Sequence, residues 1–192
     1  MAKLLGEVPH SFLAVVLAGG KSSRMGQDKA SLYSPKLQRT LIEQSVKILS
    51  QLNDCKVVIS SNVYPGAIKD LIPDCGPLSG IHGLLSYAQE QSHIHGLLFI
   101  PVDMPNLAAK QLQSLVLFAQ QNDSAAFITK SFLPCYLPLN NKVLSIVSEQ
   151  LESNDWSIRR LLDKLAARSL TLQDTEQLIN INNPRDWQQH CQ

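Results

Sequence analysis

The sequence predicts an α/β protein of three layers, with a mostly parallel central sheet held between two layers of helices. Three observations carry this. Residues 12–18 form an unbroken apolar run, as a strand buried on both faces requires. Two further short runs, residues 57–59 and 96–100, have the same character. Between and after them lie segments with apolar residues at helical spacing, and such alternation implies parallel strands covered on both sides.

The elements follow in order. The first strand ends at Gly19-Gly20. Residues 40–52 place Leu41, Ile42, Ser45, Val46, Ile48, Leu49 and Leu52 on one helical face. Val57-Val58-Ile59 forms the second strand and runs into Ser60-Ser61-Asn62. Leu71-Ile72 is read as a short strand before Pro73. Residues 80–91 are read as a helix through Ile81, Leu84, Leu85 and Ala88. Residues 96–100 form the third clear strand, which stops at Pro101. Residues 107–120 are helical and 125–129 strand-like. Beyond residue 130 the pattern weakens. Residues 133–138 read as an extended segment lining some unspecified space, and 140–151 and 157–165 as helices.

Right-handed crossovers bring the ends of the first and third strands together. Ligands in such sheets bind beyond the carboxyl ends of the strands, where strand order switches. Three loops are therefore expected to carry function: 18–29, 60–80 and 101–106.

Composition narrows the class. The 192 residues contain 17 Lys and Arg against 16 Asp and Glu, a net charge of +1. Such a balance creates no strong field for nucleic acid or anionic lipid. The hydrophobic fraction of 44% supports a core in one domain, here taken as 1–192. No apolar run is long enough to span a bilayer, and no leader is recognisable at the start. Cys55, Cys75, Cys135 and Cys191 are too widely spaced for a zinc knuckle and are read as reduced core residues of a cytoplasmic protein.

The densest chemistry lies at residues 17–29, with Gly19, Gly20, Gly26, Lys21, Arg24 and Lys29. Glycines let backbone N–H groups turn toward an oxygen-rich ligand. Lys and Arg neutralise phosphate. The segment reads as a polyphosphate cradle, although a plain Gly-rich turn with solvated charges has the same composition. It is neither a P-loop nor a dinucleotide fingerprint. A second candidate is Asp103, a carboxylate just after a strand and between Pro101 and Pro105. One carboxylate suffices for Mg²⁺ when a triphosphate supplies the remaining ligands; capping of the following turn is the alternative. Asp186, after Pro184, is read as a helix cap.

Leu17-Ala18-Gly19-Gly20, followed by Arg24-Met25-Gly26 and Asp28-Lys29, resembles the signature of nucleotidyltransferases that activate a phosphorylated acceptor with a nucleoside triphosphate. The MobA-like molybdenum cofactor guanylyltransferases are the nearest group. Four more pieces match in order: residues 59–62, 74–80, 101–105 and 180–186, the last reading Asn180-Ile181-Asn182-Asn183-Pro184-Arg185-Asp186. The resemblance covers residues 12–187 and implies a three-layer, Rossmann-like nucleotidyltransferase fold.

The resemblance also implies roles. Leu17, Ala18 and Gly19 would hold the nucleotide through backbone contacts, and Gly20 would keep the loop open. Arg24 and Lys29 would clamp phosphates, and Asp103 would bind Mg²⁺. Asp74 would accept from the guanine edge. Ser60, Gly76, Pro77 and Leu78 would complete the nucleotide side, and Asn180 and Asn182 the acceptor side. The substrates implied are GTP and molybdopterin or its molybdenum form. Transient contact with cofactor-insertion proteins and molybdoenzymes is implied too, with the chain a monomer or only weakly self-associating, its amino-terminal half binding nucleotide and its later part the acceptor.

Three features depart from the family pattern. Only Cys75 separates Asp74 from Gly76, Ser60 replaces a usual Asn, and Leu133-Pro134 stands where a His-Pro pair is expected. They leave open a cytidylyltransferase, another small-acceptor transferase, or a homologue that binds without turnover. Arg159, Arg160, Lys164 and Arg168 could meet an acceptor phosphate or simply form a solvated face.

Overall fold

A computed structural model of the chain describes residues 11–19, 28–72, 75–172 and 176–192. Its centre is a six-stranded sheet in the order β4-β1-β5-β7-β6-β8. These strands are β1 (Phe12–Leu17), β4 (Cys55–Ser60), β5 (Gly96–Pro101), β6 (Ala126–Ile128), β7 (Cys135–Pro138) and β8 (Arg168–Leu170). A separate two-stranded ribbon pairs β2 (Tyr33–Ser34) with β3 (Arg39–Thr40). Strand β1 pairs in parallel with both β4 and β5, and β8 pairs in parallel with β6. Strand β7 runs against both of its neighbours, β5 and β6. The expectation of a mostly parallel sheet holds.

The helices are α1 (Leu41–Leu49), α2 (Pro77–Gln89), α3 (Ala109–Gln121), α4 (Asn141–Glu152), α5 (Ile158–Lys164) and α6 (Pro184–Cys191). The sheet's two faces are read directly from β1. Phe12, Ala14 and Val16 join a core built with α1 and α3, whereas Leu13, Val15 and Leu17 join one built with α2, α4 and α5. Period-two alternation thus sends one strand into two cores, and this is why the run has no polar residue.

Local chemistry sets the helix ends. Thr40 and Glu43 form a reciprocal capping box at α1, and Asn183 and Asp186 form one at α6. Asn140 caps α4 and Ser157 caps α5. Helix α2 differs. It begins at Pro77, three residues before its sequence pattern indicates, after Gly76 with φ 63° and ψ −156°. That backbone region is essentially reserved for glycine.

One expected element is absent. Leu71 and Ile72 form a bend, not a strand, and are 60% and 41% exposed. The space beside β4 is taken by Ile68 instead. Its N–H donates to the Ile59 carbonyl at 2.8 Å, and its carbonyl accepts from Ser61 N–H at 3.1 Å. Among the described residues no helix is long and apolar enough to cross a membrane.

Candidate active site

The register of β1 on β5 sets Leu17 opposite Pro101, so the loops leaving both strands diverge from one point. Val102 N–H donates to the Leu17 carbonyl at 3.2 Å, and Ala18 N–H donates to the Ser60 carbonyl at 2.9 Å. A cavity of about 550 Å³ opens there, a size typical of small-molecule sites. Leu17, Ala18 and Gly19 line it from one side, and Asp103 and Met104 from another. Pro77 contributes the start of α2, whose first turn has no side-chain cap. Uncapped N–H groups of that kind suit an anion.

At the cavity floor three distant segments meet. Lys29 Nζ donates to Asp103 Oδ2 at 3.1 Å and to Asn182 Oδ1 at 3.1 Å. The Lys29 and Asp103 side chains are only 15% and 21% exposed. Asp28 sets the lysine's direction: its carboxylate accepts from Ala30 N–H at 3.1 Å and Ser31 Oγ–H at 2.9 Å, capping the short 3₁₀ turn Lys29–Ser31. The Asp103 carbonyl accepts from Ile181 N–H at 2.8 Å, tying the 180–183 segment to the same floor. Asp186 completes the link by accepting from Asn182 N–H at 2.8 Å and Asn183 N–H at 3.2 Å. Those backbone donors, Asn182 first, hold its carboxyl below the ordinary range. Asp186 is therefore occupied as a cap, as its position after Pro184 suggests.

The other carboxylate oxygen of Asp103, Oδ1, is buried and has no hydrogen-bond partner among the described residues. An unsatisfied buried carboxylate oxygen is costly unless a cation or donor arrives with the ligand. Its position beside Lys29 in an anion-sized cavity fits a divalent metal held jointly with substrate phosphates. Among the described residues no group of three or more His, Cys, Asp or Glu forms a self-sufficient metal cage.

The expected site residues sort as follows. Leu17, Ala18, Gly19, Lys29, Pro77, Asp103, Asn180 and Asn182 all line the one cavity. Ser60 and Leu78 are buried and do not line it, and Gly76 lies just before Pro77 at the turn. Ser60 lies beneath α2: a Cβ on Gly80 would stand 2.5 Å from its Oγ. Gly20, Arg24 and Asp74 lie outside the described residues. The extended segment after residue 130 does line the ligand space through Leu133. Sequence reasoning missed Asp28, Lys130, Phe132 and Ile158 as lining residues. Only Asp28 carried a usable signal, an N-cap residue three before Ser31.

A family profile described as the MobA-like NTP transferase domain matches residues 14–170. The chain belongs to this family. It is 37% identical over 179 residues to the molybdenum cofactor guanylyltransferase of Xanthomonas euvesicatoria pv. vesicatoria, covering 90% of each chain. Its fold is similar to molybdopterin-guanine dinucleotide biosynthesis protein A from Archaeoglobus fulgidus, with a TM-score of 0.76 at 18% identity and 93% and 96% of the two chains covered. It is also similar to 2-C-methyl-D-erythritol 4-phosphate cytidylyltransferase from Thermus thermophilus, with a TM-score of 0.64 at 16% identity and 91% and 95% covered. The chain is thus a MobA-like nucleotidyltransferase enzyme, with a fold that also serves a cytidylyltransferase.

Proposed function

We propose that this MobA-like transferase moves GMP from GTP to the phosphate of molybdopterin, releasing pyrophosphate and forming molybdopterin guanine dinucleotide. The observation that carries the reading is the Lys29–Asp103–Asn182 junction, which joins the nucleotide loop to the acceptor-side segment at one point. The 37% identity to a guanylyltransferase supports the choice of reaction. Within it the chain acts as one domain, as a monomer in the cytoplasm.

In this reaction an oxygen of the acceptor phosphate forms a bond to the α-phosphorus of GTP. The bond from that phosphorus to the bridging oxygen breaks, and pyrophosphate leaves with the electron pair. The acceptor phosphate is already an anion near neutral pH, so no side chain need remove a proton. Positioning and charge neutralisation then account for the rate. Lys29 and Arg24 neutralise the phosphates, and Leu17, Ala18 and Gly19 hold the nucleotide through backbone contacts. Asp103 would hold Mg²⁺, which when bound supplies Lewis-acid charge neutralisation at phosphate oxygens. Asp74 reads the guanine edge, with Ser60, Gly76, Pro77 and Leu78 supporting the nucleotide side. Asn180 and Asn182 meet the acceptor.

Purified protein incubated with molybdopterin, Mg²⁺ and either GTP or CTP, with products resolved by mass, tests the reading. The guanine dinucleotide is expected. A cytosine dinucleotide would instead establish the second reading, which the short Asp74–Gly76 spacing keeps open. No product with either nucleotide would overturn both.

A further inference from the structure

We propose that Phe132, with Lys130 and Arg159, forms a stacking shelf for the planar heterocycle of the acceptor; this rests on the proposed reaction. Phe132 is a large apolar side chain left 45% exposed while lining the cavity. The turn that presents it is built firmly. Ser131 N–H donates to the Ile128 carbonyl at 3.0 Å, and the Ser131 hydroxyl donates to the Leu133 carbonyl. Phe127 supports the ring from β6, with centroids 6.3 Å apart and planes at 39°.

One cation lies over the ring and a second lines the same cavity. The Arg159 guanidinium carbon lies 6.0 Å from the Phe132 centroid, within cation–π range. Its ion pair with Asp163 is long, 3.9 Å, and both side chains are about 70% exposed. Such a pair holds an arginine weakly, so the guanidinium can turn to a ligand. Lys130 also lines the cavity, from a turn position with φ 72° that non-glycine residues seldom adopt. Lys130 and Phe132 share the cavity with Asn180 and Asn182, the residues assigned to the acceptor. An exposed aromatic ring with cations close by suits a flat heterocycle bearing anionic or carbonyl oxygens. A bare phosphate would use only the cations.

Steady-state kinetics on the full chain, with molybdopterin and GTP varied in turn, test the shelf. Phe132→Ala is expected to raise the acceptor KM roughly tenfold, as loss of one aromatic–base stack does. The GTP KM should stay unchanged, and Phe132→Tyr should keep the acceptor KM near that of the wild type. Arg159→Ala, on a surface side chain, should raise it about threefold and keeps the test open if Phe132→Ala misfolds. An unchanged acceptor KM in an active Phe132→Ala enzyme overturns the shelf and leaves the reaction standing. A rise in the GTP KM alone also overturns it. A wild-type protein inactive toward molybdopterin overturns the reaction and the shelf together.

Discussion

Lys29 and Asp103 stand 74 residues apart in the chain and 3.1 Å apart in space. Packing alone does not explain them, because a part-buried pair of opposite charge gives little net stability. The proposed reaction gives each a role, the cation toward phosphate and the carboxylate toward metal.

Replacing Lys29 should therefore spare the fold and damage the chemistry. Lys29→Ala is expected to lower kcat by about 10²–10³, the usual loss when one charge-stabilising donor is removed. Circular dichroism should be unchanged. Near-normal turnover would remove Lys29 from the reaction.

Asp103→Asn keeps the side chain's shape and removes its charge. Transfer should fall to background at ordinary metal concentrations. Chelation of divalent metal should silence the wild type, with recovery on adding Mg²⁺. Mn²⁺ binding followed by electron paramagnetic resonance, with nucleotide present, should weaken in the variant. Equal Mn²⁺ affinity in both proteins would contradict the metal assignment.

Asp186 is engaged by the backbone of Asn182 and Asn183. Asp186→Ala should loosen Asn182, raising the acceptor KM while leaving Mn²⁺ affinity intact. Its folded pKa lies below the ordinary carboxyl value of 3.8. The stabilisation it gives is thus present above that value and lost as pH falls below it. A loss of metal affinity in Asp186→Ala would make it a ligand instead of a cap.

Gly80 lets α2 approach the end of β4. Gly80→Ala should destabilise by about 1–3 kcal/mol, the range for overpacking, because its Cβ would meet Ser60 Oγ at 2.5 Å. Ser60→Ala should relieve part of that loss, so thermal melts of both single variants and the double variant should be non-additive. Simple additivity would show that the two do not touch.

Burial pushes the Cys135 thiol up to about 12 and the Cys55 thiol to about 11, from an ordinary 9.0. The native protein keeps both protonated where the unfolded chain would lose its protons. Their contribution is complete below about pH 9 and declines as pH rises toward 11–12. Melting temperature should accordingly fall above pH 9, and Cys135 should resist thiol reagents until the protein unfolds.

Much of the fold was legible because β1 and β5 are unbroken apolar runs and the helices carry clean apolar periods. Leu71-Ile72 misled because a two-residue apolar run has no period, and Ile68 had already filled the neighbouring edge. Lys29, Asp103 and Asn182 were legible as motif residues, but their meeting depends on pairing between segments far apart in the chain. Phe132 was not legible as a site residue. A phenylalanine followed by Leu133 reads as core, and only the turn at 129–134 turns it outward. Asp28 was hidden by its neighbour Lys29, whose charge draws attention while the cap does the positioning.

The reversal of β7 has an evolutionary consequence. Because β7 runs against β5 and β6, the 129–134 turn reaches the same rim as the loops after β1 and β5 without a crossover helix. A short hairpin turn can be rewritten without disturbing the parallel wing beside it. On the proposed roles, acceptor choice and nucleotide choice would drift separately, with new acceptors arising by exchange of a few residues in one turn.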